Sequence, residues 1–279
     1  MPNEHLHGRV VVITGAGGGF GRLIAQRCGT LGARVVCADV DGNAAEAAAV
    51  EIIEAGGQAL GVTADVTDAA AMQALAASAT ETFERIDVWI NNAGIMPLAF
   101  YADHAAALNA WHRCIDINIK GVLNGIVAAF DPMMQAGRGH VVNVSSIYGN
   151  FPVVGAGVYG ATKSAVNFLS ESLRVESAGK IKVTIIKPTG VPATNLGSAV
   201  VNPAAVTGIL GQNTASYGAT LAAMASGELD GDAMSADSIG YKVLAPEHIA
   251  DQVVYAINQP WGVSIGDVTI RAAGDEYIL

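Results

Sequence analysis

The chain has 279 residues, of which 51% are hydrophobic and 14% are charged, with a formal net charge of -10 at pH 7. The 25 acidic residues outnumber the 15 basic ones, which excludes a surface able to attract a phosphate backbone, so we expect no nucleic-acid partner. Three cysteines without paired spacing, no HExxH motif, no signal segment and no apolar run near about 18 residues indicate a cytoplasmic protein without a metal site or membrane span.

Short runs rich in β-branched residues alternate with longer Ala-rich amphipathic stretches along the chain. The predicted strands are Val10 to Thr14, Val35 to Ala38, Ala59 to Thr63, Val88 to Asn91, Val141 to Val144, Val183 to Ile186 and Val268 to Ile270. The predicted helices are Leu23 to Leu31, Ala44 to Ala55, Ala69 to Phe83, Ala110 to Ala129 and Ala161 to Ala178. Because helical crossovers join parallel strands, the pattern predicts an α/β fold: a single Rossmann-type doubly wound domain over 1–279. We expect a seven-stranded, mainly parallel sheet with helices on both faces.

The interval 189–245 interrupts this alternation and is rich in Gly, Pro, Ser and Asn. Long segments of this kind inside compact domains usually carry function. We expect a substrate lid with one or two helices, inserted in the same domain. From Gly190 to Met224 it contains no Asp, Glu, Lys, Arg or His, so its apolar clusters either cover a neutral substrate or pack against another subunit.

A glycine-rich loop, Thr14-Gly15-Ala16-Gly17-Gly18-Gly19-Phe20-Gly21, follows the first predicted strand and leads into a helix. Without Cβ atoms, backbone amides can approach a pyrophosphate at the positive end of the helix. The second strand ends at Asp39, eighteen positions after Gly21, close to the spacing of a carboxylate that binds the adenosine ribose. This carboxylate would repel the 2′-phosphate of NADP and therefore favours NAD. The alternative is that Asp39 is an ordinary strand-end turn residue.

Tyr159 and Lys163 are four residues apart and therefore lie on one face of a predicted helix. A neighbouring ammonium favours phenolate, so we expect Lys163 to lower the pKa of Tyr159 and make it a general base. Alone, a Tyr and a Lys at this spacing are more typical of a solvated helix surface than of a catalytic pair.

Together these residues resemble the short-chain dehydrogenase/reductase family over essentially the whole chain. The loop fits TGxxxGxG, Asn91-Asn92-Ala93-Gly94 fits NNAG, and Tyr159 with Lys163 fits YxxxK. Ser146, thirteen residues before Tyr159, matches the substrate-orienting serine, whereas Ser145 is better interpreted as a strand-end hydrogen-bonding residue. Asn118 matches the asparagine of the catalytic helix. The resemblance thus implies a catalytic tetrad of Asn118, Ser146, Tyr159 and Lys163, with Asn118 holding a water that relays the proton.

The resemblance also implies which residues contact the cofactor. They are Thr14, Gly15, Gly19, Phe20, Gly21, Asp39, Asp65, Val66, Asn92, Ala93, Gly94, Tyr159, Lys163, Pro188, Gly190, Val191 and Thr194. The Asp65-Val66 pair corresponds to the adenine contact. The segment after strand six departs from the family's PGxxxT, because Thr189 is inserted between Pro188 and Gly190.

The implied enzyme is an NAD-dependent oxidoreductase that interconverts a neutral, bulky secondary alcohol and its ketone. The substrate pocket is expected to include Met96, Ile147, Tyr148, Phe151 and Val153, and Tyr148 is either a pocket wall or packing. A homotetramer is expected, since Ala156 to Ser170 on the catalytic helix contains only Lys163 as a charge. Two rivals share the fold: an NAD-sensing regulatory protein and an NAD-requiring epimerase or dehydratase.

Overall fold

A computed structural model describes residues 5–192 and 194–278 of the chain. Residues 1–4, 193 and 279 lie outside the described part. All of them belong to the predicted domain, and residue 193 also belongs to the predicted lid. Seven strands form one sheet: β1 Val10–Thr14, β2 Arg34–Asp39, β3 Gln58–Thr63, β4 Val88–Asn91, β5 Gly139–Val144, β6 Ile181–Pro188 and β7 Asp267–Ile270. Their order is β3-β2-β1-β4-β5-β6-β7, and every neighbouring pair is parallel. The predicted fold class is confirmed.

The central strands are buried along their whole length. Every residue of β1, β4 and β5 is buried, which is the reason β1 and β4 read as nearly continuous apolar runs, whereas β5 also buries His140 and Asn143. The chain leaves β1 toward β2 on one side and returns beside β1 as β4 on the other. This reversal of strand order opens a crevice at the carboxyl ends of β1 and β4, where doubly wound sheets bind ligands.

Ten α-helices occur in the described part of the chain. They are α1 Gly19–Thr30, α2 Gly42–Glu54, α3 Ala69–Phe83, α4 His104–Ile115, α5 Gly121–Gln135, α6 Gly157–Glu176, α7 Thr207–Leu210, α8 Thr214–Ser226, α9 Gly231–Met234 and α10 Pro246–Ile257. Asp41 and Asp68 cap α2 and α3 by accepting backbone N–H bonds in the first turn. One apolar cluster packs α1, α2 and α10 on one face of the sheet, and a second packs α3, α5 and α6 on the other.

The predicted helix from Ala110 to Ala129 is divided in the structure. A π-helical turn, Asp116–Lys120, separates α4 from α5. Asn118 lies in this turn, and its side chain is fully buried and hydrogen-bonded. π-helical turns of this kind often occur at functional sites. Apolar periodicity alone cannot reveal a local widening that a buried polar group stabilises.

The segment 189–245 contains more helix than predicted. Where one or two helices are expected, its described residues form α7, α8 and α9 and three 3₁₀ turns, Asn195–Ala199, Pro203–Val206 and Gly211–Asn213. Of the helices, α7 and α9 have four residues each, too few for a period of 3.6 to be recognised in the sequence. No helix within residues 5–192 and 194–278 combines the length and apolar character needed to span a membrane.

Candidate active site

The loop between β1 and α1 presents backbone to the crevice. A Cβ atom at Gly21 would lie 2.1 Å from the carbonyl oxygen of Gly15, so the closeness of these two segments requires glycine. A Cβ atom at Gly18 or Gly19 would meet no atom within 4 Å. Gly18 is also the N-cap of α1 and supplies no side-chain cap. The amino end of α1 and its unpaired amides are therefore available to an anionic group.

Asp39 lies at the end of β2, beside this loop. Its Oδ2 accepts the Gly17 N–H at 2.9 Å, and its Oδ1 accepts the Asp41 N–H at 3.0 Å. The nearest basic side chain of α1, Arg22, donates from Nε to Glu51 at 2.9 Å. Asp39 thus shapes the strand-end turn and also presents a carboxylate at the loop, so the two interpretations of this residue are compatible.

The end of β4 holds the glycine loop in place. The Asn92 side chain donates to the carbonyl oxygens of Thr14 at 2.9 Å and Gly15 at 3.1 Å. The Thr14 hydroxyl accepts the backbone N–H groups of Asn92 at 3.1 Å and Ala93 at 3.2 Å, and donates to the Ile90 carbonyl. The NNAG segment therefore fixes the loop as well as bordering the crevice.

Asn118 is tied to the chain that follows NNAG. Its Oδ1 accepts the Ile95 N–H at 3.0 Å, and its Nδ2 donates to the Ile95 carbonyl at 3.0 Å and to Thr162 Oγ1 at 3.1 Å. The Cys114 sulfur lies 3.3 Å from the same nitrogen. Both amide N–H groups therefore have partners, whereas Oδ1 accepts one hydrogen bond and keeps a second lone pair, so the side chain links Ile95 to α6.

Ser146 and Tyr159 meet at the carboxyl end of β5. The Ser146 hydroxyl accepts the Tyr148 N–H at 3.3 Å, and as a polar neighbour of the Tyr159 phenol it opposes the rise that burial causes in the pKa of that group. The Tyr148 and Tyr159 rings pack edge to face with centroids 5.5 Å apart. Ser145 donates to the Lys163 carbonyl at 3.2 Å. Its geometry agrees with a strand-end role, and its neighbour Ser146 is the serine that faces Tyr159.

Lys163 is buried one helical turn beyond Tyr159. Its ammonium donates to the Val144 carbonyl at 2.8 Å and lies 5.8 Å from the centre of the Tyr159 ring. Burial lowers the pKa of Lys163 to about 8. Burial also raises the pKa of Tyr159 above its ordinary value, although the nearby Ser146 hydroxyl opposes that rise. The expectation that Lys163 lowers the pKa of Tyr159 is wrong for this structure, because desolvation of the phenol dominates.

One cavity of about 460 Å³ joins the glycine loop to Ser146 and Tyr159. The predicted site residues that line it are Gly15, Gly19, Phe20, Asp39, Asn92, Ala93, Gly94, Met96, Ser146, Tyr148, Tyr159, Lys163, Pro188, Gly190, Val191 and Thr194. Within the described residues, Asp39 and Lys163 are the only charged side chains on its wall. The cavity is therefore nearly neutral, with its single carboxylate near the glycine loop and its single ammonium near Tyr159.

Other predicted site residues lie outside the cavity wall: Thr14, Gly21, Asp65, Val66, Asn118, Ile147, Phe151 and Val153. The Asp65 carboxylate instead accepts the N–H and hydroxyl of Thr67, both at 2.8 Å. The carbonyl of Val66 accepts Asn124 Nδ2 at 2.9 Å. Ile147 and Val153 are buried behind the wall, whereas Phe151 is 56% exposed. The structure thus places Met96 and Tyr148 at the cavity, and not the other three expected pocket residues.

Several further residues on the cavity wall are absent from the predicted site, and the polar ones include Thr189, Tyr217 and Tyr277. The Thr189 hydroxyl is buried and has no hydrogen-bond partner within the described residues. In the sequence, Thr189 is notable only as the residue inserted between Pro188 and Gly190 of the PGxxxT-like segment. Tyr277 follows Asp275 and Glu276 near the end of the chain. An aromatic residue next to two charged ones is the only sequence signal that could have suggested that its ring is buried.

The residues present fit a dinucleotide. The open space at Gly18 and Gly19 and the amino end of α1 suit a pyrophosphate, Asp39 suits a ribose with free hydroxyls, and the unpaired Thr189 hydroxyl can bond an amide.

The model of the family described as short chain dehydrogenase matches residues 9–205. The chain belongs to this family. The predicted resemblance is therefore confirmed, and the protein is an oxidoreductase that acts on CH–OH groups with a nicotinamide cofactor.

Among curated relatives, the dehydrogenase LinX of Sphingobium indicum, named for 2,5-dichloro-2,5-cyclohexadiene-1,4-diol, is 34% identical over 67% of this chain and 75% of its own. Glycine betaine reductase ATRR of Emericella nidulans is 30% identical over 97% of this chain. The match spans 19% of ATRR, so the chain corresponds to about a fifth of that protein.

Two solved structures of the family resemble the whole fold. A Burkholderia phymatum short-chain dehydrogenase/reductase in complex with NAD is 28% identical, with a TM-score of 0.73, and the match covers 95% of this chain and 89% of that one. A metagenomic short-chain oxidoreductase in complex with NADP is 27% identical, with a TM-score of 0.71, over 96% of this chain and 98% of that one. Proteins of similar likeness thus bind either cofactor.

Proposed function

We propose that the protein is an NAD-dependent oxidoreductase that interconverts a neutral, bulky secondary alcohol and its ketone. The observation that carries the proposal is the single cavity shared by the glycine loop, Asp39, Ser146, Tyr159 and Lys163. This arrangement brings a dinucleotide site and a proton-transfer pair to the same crevice, which a protein that only senses the cofactor does not need.

NAD is the proposed cofactor because of the charges around the glycine loop. Asp39 is the only charged side chain at that end of the cavity among the described residues, and a 2′-phosphate would meet it without a compensating cation. The Arg22 guanidinium pairs with Glu51 through Nε and Nη2, and its Nη1 lies 3.5 Å from the carbonyl oxygen of Gly17, so Glu51 already neutralises this basic side chain beside the loop. We therefore assign Asp39 to the adenosine ribose.

In the proposed mechanism Ser146 and Tyr159 hydrogen-bond the substrate oxygen, and Tyr159 moves the proton. Bound NAD would accept the hydride from the carbinol carbon. The raised pKa of Tyr159 keeps the phenol protonated near neutral pH, so it is ready to donate a proton when a ketone is reduced. Lys163 supplies the nearest positive charge to the phenolate formed in the opposite direction. Asn118 positions the Ile95 backbone, and a water that relays the proton would bind at Asn118, whose Oδ1 keeps one free lone pair.

The proposed substrate is neutral because the tetrad end of the cavity offers no free cation. Lys163 donates to Val144, and its remaining donors are assigned to the ribose of the cofactor, so a substrate carboxylate or phosphate buried there would lack a partner and cost several kcal/mol. The apolar wall, which includes Met96 and Val206, instead favours a hydrocarbon body at about 25 cal/mol per Å². The likeness to a dehydrogenase named for a cyclohexadiene-diol supports a cyclic alcohol.

Residues 1–279 are proposed to form one domain in which 189–245 is the substrate lid. Lid residues Val206 and Tyr217 line the same cavity as Tyr159, which supports this role. A homotetramer is also proposed. The apolar side chains Leu123, Val127, Phe168 and Val175 are 44 to 77% exposed on α5 and α6, on one side of the sheet, and burial between subunits would remove them from water.

The test is to follow NADH absorbance with NAD and a panel of cyclic secondary alcohols, and with NADP in parallel. We expect a higher kcat/KM with NAD than with NADP. Tyr159→Phe should lower kcat about 10² to 10⁴-fold while NAD affinity is retained, because it removes only the hydroxyl. Tyr255→Phe, at a 55% exposed position on α10, is the matched control and should behave as wild type. Retention of more than a tenth of kcat in Tyr159→Phe would show that Tyr159 is not the proton donor.

A further inference from the structure

The carboxyl-terminal segment 275–278 is fastened to the lid. The Ile278 N–H donates to the carbonyl of Ile209 at 3.1 Å, and Asn213 Nδ2 donates to the carbonyl of Glu276 at 2.9 Å. The Glu276 carboxylate pairs with Lys242 at 2.6 Å and accepts a hydrogen bond from Ser216. These contacts give the side chain of the intervening residue, Tyr277, a defined place.

Tyr277 reaches the cavity through a space that glycine leaves open. A Cβ atom at Gly190 would lie 1.4 Å from the Tyr277 hydroxyl oxygen, so any other residue at 190 would displace the phenol. Gly190 is thus required here by Tyr277, in addition to its predicted place in the cofactor segment. The end of β6 and the carboxyl terminus are fitted to each other at the cavity wall.

At that wall Tyr277 forms a pair with Tyr217 of α8. Their hydroxyl oxygens are 3.0 Å apart and their ring centroids 5.7 Å apart. Both side chains line the cavity, and both pack in the apolar cluster that includes Tyr148 and Tyr159. The hydroxyl pair therefore lies at the tetrad end of the cavity, away from the glycine loop.

The pair has unused hydrogen-bonding capacity. When one hydroxyl donates to the other, the second hydroxyl keeps its proton free, and lone pairs remain on both oxygens. Within residues 5–192 and 194–278, neither hydroxyl has another hydrogen-bond partner. A hydrocarbon substrate that covered this pair would leave its free donor without a partner, which disfavours binding.

We propose that the Tyr217 and Tyr277 hydroxyls bind a second neutral oxygen of the substrate, so that the enzyme prefers cyclic diols or hydroxyketones to mono-alcohols. This inference rests on the proposed function, because it takes the first oxygen to lie between Ser146 and Tyr159. A hydroxyl or carbonyl satisfies the free phenol proton, whereas a carboxylate would add a charge that the described cavity wall does not balance.

The competing explanation is that the tyrosine pair only fastens the tail to the lid. Loss of a fastening would weaken turnover of mono-alcohols and diols alike. Loss of a group that recognises the second oxygen would weaken turnover of diols and leave turnover of mono-alcohols nearly unchanged. Ser216→Ala removes a different contact between α8 and the tail, at the Glu276 carboxylate and away from the cavity wall, and thus serves as the matched control for a loosened tail.

The experiment compares cyclohexanol with 1,2-, 1,3- and 1,4-cyclohexanediol in wild type, Tyr217→Phe, Tyr277→Phe, Ser216→Ala and Tyr255→Phe. We expect the wild type to favour at least one diol. The ratio of diol to cyclohexanol kcat/KM should fall roughly 2- to 12-fold in Tyr217→Phe and Tyr277→Phe, the range that one neutral hydrogen bond supplies. The two controls should keep the wild-type ratio.

Ligand-observed NMR titration of the same alcohols with the same variants separates this inference from the proposed function. If no variant turns over any alcohol, yet wild type binds a diol more tightly than cyclohexanol and Tyr277→Phe does not, the proposed function fails and the second-oxygen site stands. If wild type shows no diol preference in either kcat/KM or binding, the inference is overturned. An equal fall of the ratio in Ser216→Ala would overturn it in favour of the fastening.

Discussion

At the residue scale, the site depends on a buried ammonium and a buried phenol that desolvation affects in opposite ways. Desolvation favours the neutral form of each, which lowers the pKa of Lys163 to about 8 and raises that of Tyr159. Both groups have defined contacts: Lys163 donates to the Val144 carbonyl, and the Tyr159 ring packs edge to face against Tyr148. Burial of the Lys163 ammonium therefore lowers the stability of the fold, and we expect the residue to be kept because activity requires it.

This cost gives a prediction for Lys163→Met. The unfolded chain keeps the lysine proton up to about pH 10.5, and the folded protein releases it near pH 8, so stability rises with pH between these values. The free energy of unfolding of the variant relative to wild type should therefore be highest below pH 8. It should fall by about 2 kcal/mol between pH 7 and pH 9.5.

Urea unfolding at pH 7 and pH 9.5, without added cofactor, measures this difference. The Val144 carbonyl loses its partner in the variant, but that loss is the same at both pH values and does not alter the comparison. Lys180→Met, at an exposed position, corrects for the loss of one positive charge. A pH-independent difference between Lys163→Met and wild type would contradict the burial argument.

Residues with a fixed spacing on one element were predictable from the sequence. Tyr159 and Lys163 share a helix, and Ser146 follows the adjacent strand, so their separation in the chain determines their separation in space. Tyr217 and Tyr277 are 60 residues apart and come together only because the tail packs on the lid. No local pattern encodes a contact of that kind. The pKa of Tyr159 was also unpredictable, since it depends on three-dimensional burial.

At the scale of elements, all seven predicted strands are present, and β1 and β4 have the predicted bounds. Strands buried on both faces need continuous apolar runs, which makes them easy to recognise. The lid does not show this pattern, because α8 has a single buried residue, Thr220, and α7 and α9 have only four residues each. Helices with so little buried surface leave little periodicity in the sequence.

The junction of β1 and α1 provides a prediction at this scale. Gly21→Ala should destabilise the fold by about 1–3 kcal/mol, since its Cβ atom would lie 2.1 Å from the Gly15 carbonyl oxygen and overcome any gain in helix propensity. Gly18→Ala, with nothing within 4 Å of its Cβ atom, should change stability by less than about 0.5 kcal/mol. Both substitutions should weaken NAD binding.

Urea unfolding and calorimetric titration with NAD separate the two effects. The informative protein is Gly18→Ala, because its φ of -162° is open to any residue and its fold should be intact. Its methyl group would project into the cavity where we place the pyrophosphate. Wild-type NAD affinity in Gly18→Ala would mean that the pyrophosphate does not lie against this part of the loop.

At the scale of the whole molecule, helices α5 and α6 leave four large apolar side chains exposed on one face of the sheet. Around α3, α5 and α6, large apolar side chains are uncovered at helical spacing: Leu123 and Val127 are one turn apart on α5, and Phe168 and Val175 two turns apart on α6. Because α6 also carries Tyr159 and Lys163, contacts between subunits on this helix would support the position of the catalytic side chains.

We therefore expect light scattering of the wild type to give the mass of a homotetramer. Phe168 and Val175 are 77% and 76% exposed, so replacing both with Glu should leave the fold of the single chain intact. Buried in an interface, the two carboxylates would lack partners and cost several kcal/mol per contact, which should reduce the mass to that of a dimer or monomer. Ile53→Glu on α2 is the matched control, since Ile53 is 51% exposed on the opposite face of the sheet. A monomeric wild type at micromolar concentration, or a double variant that remains tetrameric, would contradict this assignment of the interface.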